Sequence, residues 1–364
     1  MFKRLHSFFN PEEFQGWGRK RNYFEGWYFK VINAEGTRAF AFIPGIALDK
    51  NGTGHSFIQV LDGIKRTARY HKFNRGDFVS KPKQFQIEIE KNCFSASEIK
   101  LDLPDIKGEL VFSGNVGWPK PWYSPGIMGP FSFVPFMQCY HGIVSMDHSI
   151  SGAIVVNNES VDFTGGRGYI EKDWGWSFPS AYIWIQSNHF SQPGVSLKCS
   201  VAKIPWLGSS FVGFIGGLWL HDRLLRFTTY NQTKLRKSLA DEKKVEIILE
   251  NNRYRLEIVA YRSETTVLAS PIHGFMEGRI EESMTARIGV VLTDRKSKTI
   301  LFQDTGTNAG LEVAGKIEEI VVGQERVFTS PLSLQTSFLF LPSYVVSRKE
   351  RKTRCQPHKN ALAS

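Results

Sequence analysis

Almost every apolar run in this chain is short, strand-length and closed by a turn dipeptide, and little repeats with a helical period. Strand-like runs are Gly26–Ile32, Ala39–Ile43, Ser56–Leu61, Phe85–Ile89, Glu109–Phe112, Gly152–Val156, Ala181–Phe190, Ser196–Ala202, Phe211–Leu220, Leu224–Thr229, Lys244–Glu250, Tyr254–Tyr261, Ser283–Thr293 and Thr299–Asp304. Between them stand Asn51-Gly52, Asp62-Gly63, Arg75-Gly76-Asp77, Asn157-Asn158, His221-Asp222 and Asn251-Asn252. Many short strands at hairpin spacing restrict the chain to barrels or sandwiches. Its 364 residues fit two such units better than one. The expectation is therefore an all-β protein of two antiparallel β-barrel-like units, over 20–190 and 191–330, with a tail over 331–364 that is apolar and then basic. Gly117–Pro135, dense in proline and glycine, is expected as a long ordered loop, a lid over a cavity mouth. Ser263–Gly278 is expected as another loop.

Charge and motif content exclude several classes. The net charge of +11 would suit nucleic acid or anionic lipid. The cations are dispersed among acids, however, except in the tail at Arg348, Lys349, Arg351, Lys352 and Arg354, so no nucleic-acid partner is expected. That cluster reads first as a solvated tail. Together with Pro331–Ser347 it also suits peripheral contact with an anionic membrane. Cys93, Cys139, Cys199 and Cys355 have no CxxC or CxxH spacing, so neither zinc nor a disulfide scaffold is indicated and a reducing, cytoplasmic compartment is expected. The histidines form no HxH or HxxxH pair, and no metal or other cofactor is expected. Dinucleotide, phosphate-loop and GxSxG signatures do not occur. Met1–Phe9 lacks the apolar core of a signal peptide. Ile204–Leu220 is too broken by Pro205 and glycines to be a membrane helix.

Chemistry concentrates between Gly165 and Phe190. If Tyr169–Gly175 is extended, Glu171 and Asp173 share a face, and two close carboxyls cannot both ionise cheaply, which leaves one as a proton donor. The competing reading is a turn in which Asp173 caps backbone amides and Trp174 fills core. Ala181–Phe190 as a strand puts Tyr182, Trp184, Gln186 and Asn188 on one face, apolar walls with two orienting amides. The bland alternative gives the amides to solvent and Ile183 and Ile185 to the core. In Phe24–Val31, Glu25 shares a face with Trp27 and Phe29, as a buried acid or a rim residue.

These segments resemble a known family. Phe24-Glu-Gly-Trp-Tyr-Phe-Lys-Val31 is similar to the N-terminal signature of tocopherol cyclases. Tyr169-Ile-Glu-Lys-Asp-Trp-Gly175, Phe178-Pro179 and Trp184-Ile-Gln-Ser-Asn-His-Phe190 are similar to the central one, and Ala309-Gly-Leu-Glu-Val-Ala-Gly315 to a later one. The Tyr-x-acid-x-x-Trp-Gly core is more distantly similar to carotenoid 1,2-hydratase-like proteins. The resemblance implies paired lipocalin-like barrels packed together. It also implies acid-catalysed ring closure of a prenylated quinol or phenol, with no cofactor. Carried onto this chain, it makes Glu171 the leading general acid, with Asp173 and Glu25 as further acids. Trp27, Tyr169, Trp174, Trp176 and Trp184 would contact substrate, and Gln186 and Asn188 would meet the quinol hydroxyls. The sequence departs from the family in Asp173, where the cyclases usually carry Asn, in Trp176, where the plant proteins have a small residue, and in the Gly117–Pro135 loop. An isoprenoid hydratase or isomerase, or a non-catalytic carrier of a hydrophobic molecule, are the alternatives the residues leave open.

Overall fold

The computed structural model describes residues 2–323. A short helix, Phe2–Phe9, precedes two large antiparallel sheets, and residues 1–324 form one compact unit. The first sheet runs Thr67–Asn74, Gly54–Asp62, Ala39–Leu48, Tyr23–Ile32, Arg167–Gly175, Cys139–Val156 and Ile106–Ser113, then on through Glu98–Asp102, Asn92–Ser95 and Gln86–Ile89 to Phe78–Ser80. The second runs Arg223–Thr228, Ser209–Leu220, Ser196–Trp206, Ala181–Ser187, Ile300–Gly315, Phe275–Asp294, Tyr254–Tyr261, Lys244–Glu250 and Lys234–Ala240. Sheets with this many twisted strands curl on themselves. Each wraps its own core as a lipocalin-like barrel. Trp27, Phe29, Phe42, Phe94 and Ile170 pack inside the first, and Ile183, Ile185, Val201, Ile247 and Val290 inside the second.

A further apolar cluster lies between the barrels, with Tyr28, Ile143, Tyr169, Tyr182, Trp184, Leu268 and Met284 among its members. The central strands of both sheets are therefore buried on both faces, one toward their own barrel and one toward the other. Arg167–Gly175 divides in this way: Ile170 enters the first core, whereas Tyr169 joins the inter-barrel cluster.

The expected boundary at 190 moves. The chain changes sheet between Gly175 and Ala181, so Ala181–Ser187 is a central strand of the second barrel, not the last of the first. Ser263–Gly278 is not a loop either. Thr266–Ile272 and the start of Phe275–Asp294 form a hairpin whose turn residues His273 and Gly274 sit at φ 47° and 83°. Two successive positive-φ residues are the signature of a tight hairpin turn, and Pro271 is tolerated because its strand lies off the main strand path. Among the described residues no helix is long and apolar enough to cross a membrane. The tail at 331–364, with its expected membrane contact, lies outside the described residues.

Candidate functional site

A cavity of about 1360 Å³, including its open mouth, lies between the barrels. Its walls are mainly apolar: Ile43, Phe57, Phe178, Ile204, Phe211 and Phe214 are typical. The Gly117–Pro135 loop does reach this mouth. Met128 and Phe131 line it, and the Phe131 ring stacks on Phe211 with centroids 6.0 Å apart.

Most of the polar floor comes from the two central strand pairs, which are the segments that carry the sequence signatures, and Glu282 joins them from the adjoining Phe275–Asp294 strand. In the first sheet, Tyr28 lies opposite Glu171 in register. In the second, Trp184 lies opposite Glu312, and Glu312 opposite Glu282. The two rows interlock across the gap. Tyr28 Oη donates to Glu282 Oε1, and Trp184 Nε1 donates to Glu171 Oε2 at 3.0 Å. Tyr169 Oη also donates to Glu171 Oε2, and Tyr182 Oη donates to Glu312 at 2.6 Å. Gly310, within the third signature, leaves room for the indole: a Cβ there would lie 2.4 Å from the Trp184 ring.

Glu171 is 4% exposed and extended backbone puts Asp173 on its face, so the capping-turn reading of Asp173 does not hold. His141, opposite Asp173 in register, links the two acids: Nδ1 is 2.7 Å from Asp173 Oδ1 and Nε2 is 3.4 Å from Glu171 Oε2. Burial raises the Glu171 pKa; His141 and the fully buried Lys198 oppose that rise and Asp173 adds to it. Contacts to Tyr169, Trp184 and His141 all fall on Oε2, which leaves Oε1 as the oxygen able to present a proton. The donor atoms of His141, Glu171 and Asp173 lie within 4.8 Å of one another, close enough to share a cation, although here Nδ1 of the imidazole is hydrogen-bonded to Asp173. Glu282 and Glu312 are raised as well, first by burial; Glu282 reaches about 7, and Glu312 is pushed well above the usual carboxylate range.

Several expected site residues lie elsewhere. Glu25 faces the first barrel, where its carboxylate pairs with Lys172 Nζ at 2.5 Å and accepts from Tyr23 Oη and from the Gln15 and Gly16 amides. Lys172 Nζ in turn donates to the carbonyls of Pro11 and Glu13, so this buried pair straps the N-terminal segment across the barrel end. Trp27 and Trp174 hold the same ammonium between their rings, each centroid 4.7 Å away, and neither lines the cavity. Trp176 stacks on His273, with centroids 5.9 Å apart, outside the lining. Gln186 and Asn188 share the Trp184 face but bond to protein: Gln186 Oε1 accepts from Lys30 Nζ at 2.8 Å, and Asn188 Nδ2 donates to Asp147 and to the Gly168 carbonyl. Tyr169 stands behind Glu171 as its hydrogen-bond donor, not as a cavity wall. Of the named tryptophans, only Trp184 lines the cavity, and phenylalanine and tyrosine rings supply the rest of its aromatic wall.

Lys198, Glu282, Glu312, Tyr28 and Lys30 carry no signal singled out in the sequence, and His141, a lone histidine there, reads as an ordinary core or surface residue. His141 sits in the part of Cys139–Val156 that was not read as a strand. The faint signal for Glu282 is its period-2 placement between Ile280 and Met284, while its neighbour Glu281 is exposed.

A tocopherol cyclase-like family model matches residues 109–315 of this chain, more than half of it. No curated protein sequence matches. Among solved structures, CghA with Sch210972 superposes with a TM-score of 0.52 at 10% identity, over 81% of this chain and 89% of that one. Kievitone hydratase from Nectria haematococca gives a TM-score of 0.44 at 9% identity, over 80% and 89%. At 10% identity the likeness to CghA concerns the fold.

Proposed function

The chain belongs to the tocopherol cyclase-like family, and from that premise we propose that it closes a ring on a prenylated phenol or quinol by protonating its alkene. The observation that carries this reading is a buried carboxyl on the floor of an apolar, ring-lined cavity, with one oxygen held by Tyr169 and Trp184 and the other left toward the ligand space. Burial keeps Glu171 protonated further up the pH scale than a surface glutamate, which suits an acid that must give a proton to carbon.

The step balances within the substrate. The Glu171 O–H bond breaks as a C–H bond forms at the less substituted alkene carbon, and the tertiary carbon becomes cationic. A phenol oxygen lone pair then forms the C–O bond, and the phenol proton passes to a carboxylate on the cavity floor, so that one proton enters the substrate and one leaves it. The rings of Trp184 and Tyr28, packed edge to face with centroids 5.5 Å apart, stabilise the cation, and the carboxylate left at Glu171 adds to this. Apolar walls exclude the water that would otherwise trap the cation.

Product analysis in ¹⁸O-labelled water tests the reaction class. A geranylgeranylated hydroquinone should yield a chromanol of unchanged mass with no solvent oxygen. An alcohol carrying one ¹⁸O would identify a hydratase instead, and recovery of unaltered, bound quinol would leave only the carrier role.

A further inference from the structure

Glu282 is 1% exposed and lines the cavity, yet only half of its carboxyl is used. Oε1 accepts from Tyr28, and Oε2 has no hydrogen-bond partner. A buried carboxyl oxygen left unsatisfied is costly, and a ligand donor can relieve that cost. The hydrogen bonds of the charged groups around it run elsewhere. Glu312, opposite Glu282 in register, accepts from Tyr182, and the two hydrogen bonds of Lys30 Nζ go to Gln186 and the Asn308 carbonyl, not to Glu282. Glu171, the carbon-protonating group of the cyclase reading, sits opposite Tyr28 on the facing sheet.

Resting on the cyclase reading, we propose that Glu282 anchors the substrate's head group: its free Oε2 accepts the phenolic hydroxyl and takes that proton as the ring closes. The phenol O–H bond breaks, its oxygen electrons complete the new C–O bond, and a carboxyl O–H forms on Glu282. Glu171 ends the turnover one proton short and Glu282 one proton over, and exchange with solvent through the cavity mouth restores both. The ligand class that fits is an amphiphile with a hydroxylated aromatic head and a long apolar tail. Burial lifts Glu282 to about 7, near the operating pH of a general base, while the charge of Lys30 works against that rise. Its cross-strand neighbour Glu312 is held well above the usual range by burial and then by the Glu282 charge, so Glu312 keeps its proton and Glu282 is the member left to accept one.

The test uses a phenol with a long saturated chain, which has no alkene to protonate, and its O-methyl ether, which has no proton to donate. Calorimetry on the full chain should show the phenol binding roughly ten-fold tighter than the ether, the scale of a hydrogen bond to a charged acceptor. Glu282→Met should erase that preference. Equal affinity of the unsubstituted protein for both ligands, or a preference that survives Glu282→Met, overturns the anchor. Glu282→Gln keeps an acceptor but loses the base, so kcat on a prenylated quinol should fall about ten-fold or more with KM little moved; undiminished kcat overturns the proton-taking role. A phenol preference without turnover of prenylated quinols would remove the cyclase reading and leave the anchor standing, whereas turnover without the preference would do the reverse.

Discussion

His148 packs 4.5 Å from the Phe112 ring, faces a glycine at 168 whose Cβ would collide with it, and has no hydrogen-bond partner for Nε2. Burial drives its pKa down to about 3, and His189 falls likewise to about 3 and the buried His55 to about 4. In the unfolded chain these imidazoles titrate near 6.5. The folded state refuses protons that the unfolded state binds, so their stabilisation is complete above about 6.5 and is lost as pH falls toward 3. Glu282 has the opposite sign between 4.5 and about 7, because its raised pKa lets the folded state bind a proton first. The difference between variant and parent therefore isolates one imidazole: His148→Asn should lose less Tm between pH 7 and pH 5 than the parent protein does. Equal losses would show that His148 is charged or accessible in the fold. At this scale Glu171 was marked by the family resemblance and not by its spacing, which suited a structural turn as well. His141 was not, since its function comes from a register partner, Asp173, that lies 32 positions away along the chain.

The strand explains most of the errors of residue assignment. Sequence alternation separates two faces correctly, but it cannot say which face meets what. Phe24–Val31 was sorted rightly into Glu25, Trp27 and Phe29 against the rest; the site is built by the other set, Phe24, Gly26 and Tyr28. In an isolated sheet the second face would meet water, whereas here it meets the other barrel, so Lys30 and Lys198 are buried with relative exposures of 1% and 0%; Lys172, at 0%, is buried on the first-barrel side with Glu25. Glu25 then belongs to stability. Removing its charge leaves Lys172 buried without a counter-ion, a loss of about 3 kcal/mol or more. Glu25→Gln should accordingly lower the denaturation midpoint while the folded enzyme keeps its kcat. A large fall in kcat with an unchanged midpoint would return Glu25 to the site. The hairpin at Thr266–Ile272 was missed for a related reason: Pro271, His273 and Gly274 signal a break, and only the pairing partner shows that the break is a two-residue turn.

For the molecule as a whole, the all-β class and the paired barrels followed from strand density, length and family resemblance. The position of the site did not, because it belongs to neither barrel. Both interiors are filled by their own side chains, and the ligand space opens where the two sheets face each other. The signatures make physical sense in that light. They mark the central strand pairs Tyr23–Ile32 with Arg167–Gly175 and Ala181–Ser187 with Ile300–Gly315; Trp184 donates to Glu171 across the gap, and Tyr28 donates to Glu282 on the adjoining Phe275–Asp294 strand. Cavity, acid and aromatic wall therefore form only when both barrels are folded and docked. The central claim is that Glu171 hands a proton to carbon inside this shared hollow. The measurement that tests it most directly is the deuterium content of the product formed from a prenylated hydroquinone in D₂O, by the parent protein and by Glu171→Gln. The account predicts one carbon-bound deuterium, at the former less substituted alkene carbon, and a rate lowered roughly hundred-fold or more in the variant. A ring-closed product without that deuterium, or a Glu171→Gln protein that turns over at the parent rate, would contradict it.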